Sequence, residues 1–341
     1  MTIRKKIDQR ANVLDVARHA GVSTATVSRT LSHPEKVSPA TRARVMASVK
    51  EIGYRPNLAA QAFRSRVTRT VIVLVPDIGN AFYPDIIRAM EDTANKQGFT
   101  VLLANTDMLK DKEQSYHEML RDGRADGMVL MTGRLPQGYS PEDNLPMIAI
   151  SEEIPGTALP LVAIDNVAGA AAAVSHLHAA GHQRIGHITG PQNRIFSYQR
   201  LSGYRRGLEQ AGLPYAPSLV ASGDFTFEGG LAGAQTLLDL PAPPTAIFCA
   251  NDESAAGAML GARKKGLSIP KDLSIMGFDN LTVGRMLHPT LTTLHQPRTE
   301  MGHIGMSLIL QLIQGTPPSK SFYELPFKVI ERESVGPPRV E

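Results

Sequence analysis

Two groups of side chains in this sequence have types and spacings that could do chemistry. The first is a run of short polar residues near the N-terminus. Asn12, Ser23, Thr26, Ser28 and Ser38 can each donate to a phosphate oxygen, which positions a protein on a polyanion without reading its bases. Arg29 stands among them, and a guanidinium can fork onto a guanine edge. The second group is spread along the rest of the chain. Phe82 and Tyr83 could serve as stacking platforms, Arg194, Phe196 and Arg200 follow one apolar run, and Asn251 and Asp279 follow two others. A carboxylate opposite an arginine suits a polyhydroxylated ring, because the acid accepts from hydroxyls and the guanidinium donates. Asp252, beside Asn251, is expected to cap the helix that follows it.

Charge separates the two groups. Residues 1–66 hold 13 Lys/Arg against 4 Asp/Glu, whereas residues 67–341 hold 23 against 28. A basic head on an acidic body predicts an N-terminal part that meets a nucleic acid, with counterion release supplying much of the affinity. Other classes find little support. No G-x-G-x-x-G follows a strand-like run, and neither a P-loop nor a G-x-S-x-G is present, so an enzyme is not expected. The ten histidines show no metal-binding spacing, and the single Cys249 excludes a disulfide framework and a thiolate zinc site. No metal and no cofactor are expected. Asp15, Arg18 and His19 interrupt the segment where a signal core would stand, and no apolar run reaches membrane-spanning length, so the expected location is cytoplasmic and nucleoid-associated.

These side chains need elements to hold them. Asn12 can cap a first helix carrying Leu14, Val16, Ala17 and Ala20 on one face. Gly21-Val22-Ser23 is a turn, Thr24–Leu31 a second helix, and Ser38-Pro39 opens a third that buries Val45, Val49 and Ile52. Pro56 breaks the chain, and residues 57–65 could form a short helix that is marginal alone. From Val71 the pattern becomes strand–helix alternation. Strands are expected near 71–75, 100–104, 127–131, 147–150, 184–188, 246–250 and 273–277. Helices are expected near 85–97, 112–121, 168–180, 198–211, 227–238 and 254–265. The fold class is therefore an all-α helix-turn-helix head plus an α/β body of two doubly wound parallel-sheet lobes, divided near Pro160–Asn166.

The run Asp15-Val16-Ala17, Ala20-Gly21-Val22-Ser23 and Thr26-Val27-Ser28-Arg29 resembles the head of LacI-family repressors. Val37-Ser38, Thr41-Arg42, Val45 and Gly53-Tyr54-Arg55-Pro56-Asn57 extend the match. The resemblance implies a second helix lying in the major groove, with Thr24 and Ala25 at the base-reading positions. It makes Tyr54 and Asn57 part of the DNA-binding motif. It also places Ala60 and Phe63 on a hinge helix that enters the minor groove, where Phe63 replaces the usual Leu wedge. The implied organisation is a helix-turn-helix domain at 1–56, a hinge helix and linker at 57–69, and a body at 70–341. Its lobes would be about 70–162 with 296–325, and 163–295 with 326–341. The body resembles the periplasmic sugar-binding-protein fold, and its ligand would sit between the lobes.

Family ligand contacts map onto Asn251 and Asp279, and Arg200 matches the family arginine before a Gly-aromatic pair, here Gly203-Tyr204. Within the family, Ser23–Arg29, Val75–Ile78, Arg134–Pro136, Gly223–Glu228 and Leu237–Cys249 look closest to the cytidine-repressor branch. That implies a nucleoside effector, with ribose held by Arg200 and Asp279 and the base near Phe82 or Phe196. A free sugar or a purine is the alternative, although Ser151 stands where some sugar sensors place an acid. An extracytoplasmic binding protein would share the body but lack the basic head. The expected partners are near-palindromic double-stranded DNA, a small-molecule effector and a second copy of the chain, in a homodimer or a higher assembly.

Overall fold

The computed structural model describes residues 11–54 and 67–339; the sites expected at Asn57, Ala60 and Phe63 lie outside the described residues. The chain divides into two compact units, 1–68 and 69–341.

In the first unit, helices α1 (Val13–Ala20), α2 (Thr24–Ser32) and α3 (Pro39–Glu51) follow local sequence signals closely. Asn12 caps α1 in a reciprocal box with Asp15, Ser23 caps α2 and Ser38 caps α3. Gly21 takes φ +61° at the turn, a conformation that costs glycine little. Val16, Ala17, Ala20, Val27 and Val45 close a small core, with Val22, Val49, Ile52 and Tyr54 packed around it.

The second unit contains two six-stranded sheets. The first lobe holds β1 (Thr70–Val75), α4 (Tyr83–Lys96), β2 (Thr100–Asn105), α5 (Lys110–Arg121), β3 (Gly127–Leu130), β4 (Met147–Ile150) and β5 (Leu161–Ala163). The second holds α6 (Asn166–Ala179), β6 (Ile185–Ile188), α7 (Ile195–Gln210), β7 (Val220–Ala221), α8 (Phe227–Leu238), β8 (Ala246–Cys249), α9 (Asp252–Lys264), β9 (Ser274–Asp279), α10 (Thr282–Met286) and β10 (Thr292–His295). The chain then returns through α11 (Arg298–Ile313) and β11 (Phe322–Glu324), and ends its strands with β12 (Lys328–Ile330). The strand orders are β11-β5-β4-β3-β1-β2 and β12-β10-β9-β8-β6-β7. Pairing is parallel except between β10 and β12. The continuous apolar runs of β1, β3, β4 and β8 are buried because helices cover both sheet faces.

Sequence pattern does not announce α11 or the short strands β5, β7, β10, β11 and β12. α11 packs on α4 and on the first sheet, burying Met301, Gly302, Gly305, Met306, Leu308, Ile309 and Leu310, so no polar face marks its period. The short strands exist only because a neighbour supplies their hydrogen bonds. Helix pairs close up where glycine removes a side chain. A Cβ at Gly203 of α7 would stand 2.3 Å from the Val167 carbonyl of α6, and this contact seats α7 close enough for Arg200 to reach Asn166.

Candidate functional site

Between the lobes, past the carboxyl ends of β1, β4, β6, β7, β8 and β9, lies a cavity of about 400 Å³. This is where an open α/β sheet leaves backbone and loop groups free to meet a ligand. Arg200, one turn into α7, is 4% exposed at its floor. Its Nε donates to Asn166 Oδ1 at 3.0 Å, its Nη1 to the Ala250 carbonyl, and its Nη2 stands 3.6 Å from Asp279 Oδ1. The guanidinium also lies 3.9 Å from the Phe278 ring centroid and 5.2 Å from that of Phe196. Phe196 in turn stacks on Phe225, with centroids 5.2 Å apart. The site thus combines a buried charged fork with a flat aromatic wall.

Asp279 ends β9 with φ +110°, and three other non-glycine residues lining the cavity, Met108, Ser151 and Phe225, have φ +56°, +70° and +69°. Such conformations cost about 1–3 kcal/mol each and persist only where neighbours over-determine them. For Asp279 those neighbours are Gln296, whose Nε2 donates to Oδ1 at 2.6 Å, and Arg298, whose Nη1 donates to its carbonyl. Burial pushes the Asp279 carboxyl up, while Arg200 and Arg298 pull it down. Arg298 also pairs with Asp85 on α4 at 2.9 Å, tying the first lobe to the Asp279 loop.

Sequence reasoning missed Glu152. It follows β4 in the first lobe, is buried, and pairs with Arg194 of the second lobe. Arg194 Nε donates to Glu152 Oε1 at 3.2 Å, and the Ile195 N–H donates to the same oxygen at 3.0 Å. Gly133, at φ +68°, makes room, since a Cβ there would stand 2.2 Å from the Glu152 carboxyl carbon. Arg194 therefore reaches the cavity already neutralised. Phe82 and Tyr83 pack edge-to-face at 5.5 Å and belong both to the core and to the cavity lining.

The Asn251–Asp252 pair reverses one expectation. Asn251, not Asp252, caps α9, its Oδ1 accepting from Ser254 N at 2.9 Å while its Nδ2 donates to the Phe225 carbonyl at 2.9 Å. Asp252 points down instead, accepting from Leu281 N and from the Thr293 hydroxyl. The reason is space: Asp252 fills the gap above Gly277, where a Cβ would stand 2.3 Å from its Oδ1. Complete burial, with Asp279 nearby, pushes Asp252 up to about 8 from an ordinary 3.8. The native state then binds a proton that the unfolded chain releases between those values, so stability falls as pH rises through that window. Thermal unfolding between pH 6 and pH 9 should show the melting temperature of the native protein falling more steeply than that of Asp252→Asn; parallel slopes would refute the assignment.

On the head, Ala25, Ser28 and Arg29 are exposed and share one face of α2 at i, i+3 and i+4, opposite the buried Val27 and Thr30. Thr24 is half-buried beside them. Ser23 and Thr26 hydroxyls are 2.9 Å apart, and Ser23, Ser38 and Asn12 all cap helices. A capping role is compatible with a phosphate contact, because the helix N-terminus itself attracts an anion. Tyr54 packs against the head core, and its backbone N–H donates to the Val49 carbonyl at 3.0 Å. Among the described residues no helix is long and apolar enough to cross a membrane.

Comparison with known proteins places both units. Residues 12–57 match the model of bacterial regulatory proteins of the lacI family, and residues 68–329 match that of periplasmic binding proteins and the sugar-binding domain of the LacI family. The HTH-type transcriptional repressor CytR of Escherichia coli (strain K12) is 44% identical over 314 residues, covering 91% of this chain and 92% of CytR. The lac repressor dimer bound to operator and the anti-inducer ONPF aligns with a TM-score of 0.84 at 26% identity, over 96% of this chain and 99% of that one. A complex of the transcriptional regulator CelR with cellobiose aligns with a TM-score of 0.73 at 32% identity, over 95% and 100% of the two chains.

Proposed function

Because the chain belongs to the LacI family and is a DNA-binding transcriptional repressor rather than an enzyme, we propose that its operator affinity is set by a nucleoside, such as cytidine, bound between the lobes. The observation that carries this reading is the Arg200–Asp279 pair lying beside the stacked Phe196–Phe225 wall. Ribose hydroxyls match the fork and the carboxylate, and a base matches a flat aromatic face. Phe82, Tyr83, Arg194 and Asn251 complete the effector site. Similarity to CytR supports the nucleoside over a free sugar. The sugar-binding family model and the cellobiose-bound CelR favour the sugar as the second reading.

On the DNA side, Asn12, Ser23, Thr26, Ser28 and Ser38 meet phosphates. Thr24, Ala25 and Arg29 face bases, and Tyr54, Asn57, Ala60 and Phe63 belong to the head's edge and hinge. The repressor acts as a homodimer on a near-palindromic operator in the cytoplasm, in the manner of the operator-bound lac repressor dimer. Lobe closure around effector shifts the hinge side of the body, and by linkage operator binding changes effector affinity by the same factor.

Calorimetric titration of the full chain with cytidine, other nucleosides and free sugars tests the effector. Cytidine should bind and should change affinity for an operator duplex; binding of a sugar alone would transfer the assignment to the second reading. Arg29→Ala should cost about 1–3 kcal/mol at one operator base pair and leave non-specific duplex binding nearly unchanged. An equal loss on both duplexes, read by fluorescence anisotropy, would reduce Arg29 to a phosphate contact.

A further inference from the structure

The cavity's charge is unbalanced in a way that bears on what enters it. Arg200 is matched by Asp279 and Arg194 by Glu152. Three more carboxylates line the cavity, Asp77, Asp224 and Glu253, and none of them has an ion pair among the described residues. Asp77 Oδ1 accepts from Gly79 N, Asp224 Oδ1 accepts from Thr226 N and Oγ1, and Glu253 accepts from Ala81 N. Each still offers an oxygen to a ligand. They come from both lobes, and Glu253 lies within the fields of Asp77, Asp279 and Glu228.

The features that ordinarily welcome a phosphate are also taken. Four helices, α4, α7, α8 and α9, begin at the cavity, and helix N-termini attract anions. At each the protein supplies acceptors of its own; at α8, Gly229 N donates to Thr226 Oγ1 at 3.0 Å and Glu228 lies in the first turn. At α7, Ile195 N donates to Glu152. At α4, Phe82 N donates to Asn80 Oδ1 at 2.8 Å and Pro84 has no N–H. At α9, Ser254 N is held by Asn251, and Asp252 and Glu253 occupy the first turn.

We propose that the cleft is an anion filter, in which Asp77, Asp224 and Glu253 admit an unphosphorylated nucleoside and reject the corresponding nucleotide. The inference rests on the nucleoside reading above. The same carboxylates serve both ends: they accept from sugar hydroxyls or a base amino group, and they repel a phosphate, which brings negative charge and no hydrogen to donate.

Titration of the full chain with cytidine and with cytidine 5′-monophosphate at low salt tests it. The monophosphate should bind at least about 100-fold more weakly. The triple variant Asp77→Asn/Asp224→Asn/Glu253→Gln should narrow that gap by about tenfold or more, and high salt should narrow it in the native protein, where no change of fold is in question. Monophosphate affinity within about tenfold of cytidine in the native protein overturns the filter. So does a gap that neither salt nor the variant alters, since that is the mark of a steric block. If no nucleoside binds, the nucleoside reading fails instead, and ribose against ribose 5-phosphate puts the same charge test to the cavity. Binding by neither pair overturns both.

Discussion

Arg200→Met should abolish effector binding and lower the stability of the body. The guanidinium is buried and makes four kinds of contact at once: to Asn166, to the Ala250 carbonyl, to Asp279 and to the Phe278 ring. Methionine keeps much of the stem volume but leaves Asp279, itself 4% exposed, without its guanidinium. Removing one partner of a buried pair typically costs about 3–5 kcal/mol, most of it the penalty on the partner left behind. Arg298 and Gln296 still hold Asp279, so the lower end of that range is expected. The double variant Arg200→Met/Asp279→Asn separates the two effects. It should recover melting temperature relative to Arg200→Met and recover no effector binding, because the fork that grips hydroxyls is still missing. If calorimetry finds nucleoside affinity of Arg200→Met within tenfold of the native protein, Arg200 is a structural cation and not a ligand contact.

Glu152→Ala should be almost as costly and should act on closure of the cleft. The carboxylate accepts from Arg194 Nε and Nη2 and from the Ile195 N–H, so it joins the end of β4 in one lobe to the start of α7 in the other. Burial pushes its carboxyl up and the Arg194 guanidinium opposes that. Alanine strands Arg194 in a site where it is 8% exposed, and about 3–5 kcal/mol is again the scale, reduced by any turn of Arg194 toward the cavity. Losing the link also lowers the fraction of molecules with the lobes together, and apparent effector affinity falls by that fraction. Glu152→Gln keeps one acceptor oxygen, enough for the Ile195 N–H and Arg194 Nε but not for Arg194 Nη2, and should lie between the native protein and Glu152→Ala. Small-angle scattering without ligand should give a larger radius of gyration for Glu152→Ala than for the native body. An unchanged radius with unchanged affinity would show that the pair stabilises one surface only.

How much of this was legible in sequence differs between the two units. Every cap in the head is local: Asn12, Ser23 and Ser38 hold N–H groups two or three residues ahead, so their spacing alone reveals them. In the body, Arg200, Phe196 and Asp279 could be found because they follow apolar runs that end at the cavity. Phe225 carried a weaker signal, lying in a segment whose strand, β7, has only two residues. Glu152 carried none. Its partner Arg194 is 42 residues away, and an acid beside Glu153 in a loop reads as solvated surface. The exchange between Asn251 and Asp252 had the same origin, since both residue types cap helices and only the gap above Gly277 decides which one turns inward.

The sequence by itself therefore determined the head, the alternation that builds two parallel sheets, and the family to which the chain belongs. These depend on period, capping and motif, which act over a few residues. Tertiary structure alone decided which charges neutralise one another across the cleft, that Asp252 is buried, and that Asp77, Asp224 and Glu253 face the cavity with no ion pair among the described residues. Those outcomes depend on distances between residues far apart in the chain, set by how the helices pack on the sheets, and no local pattern encodes them.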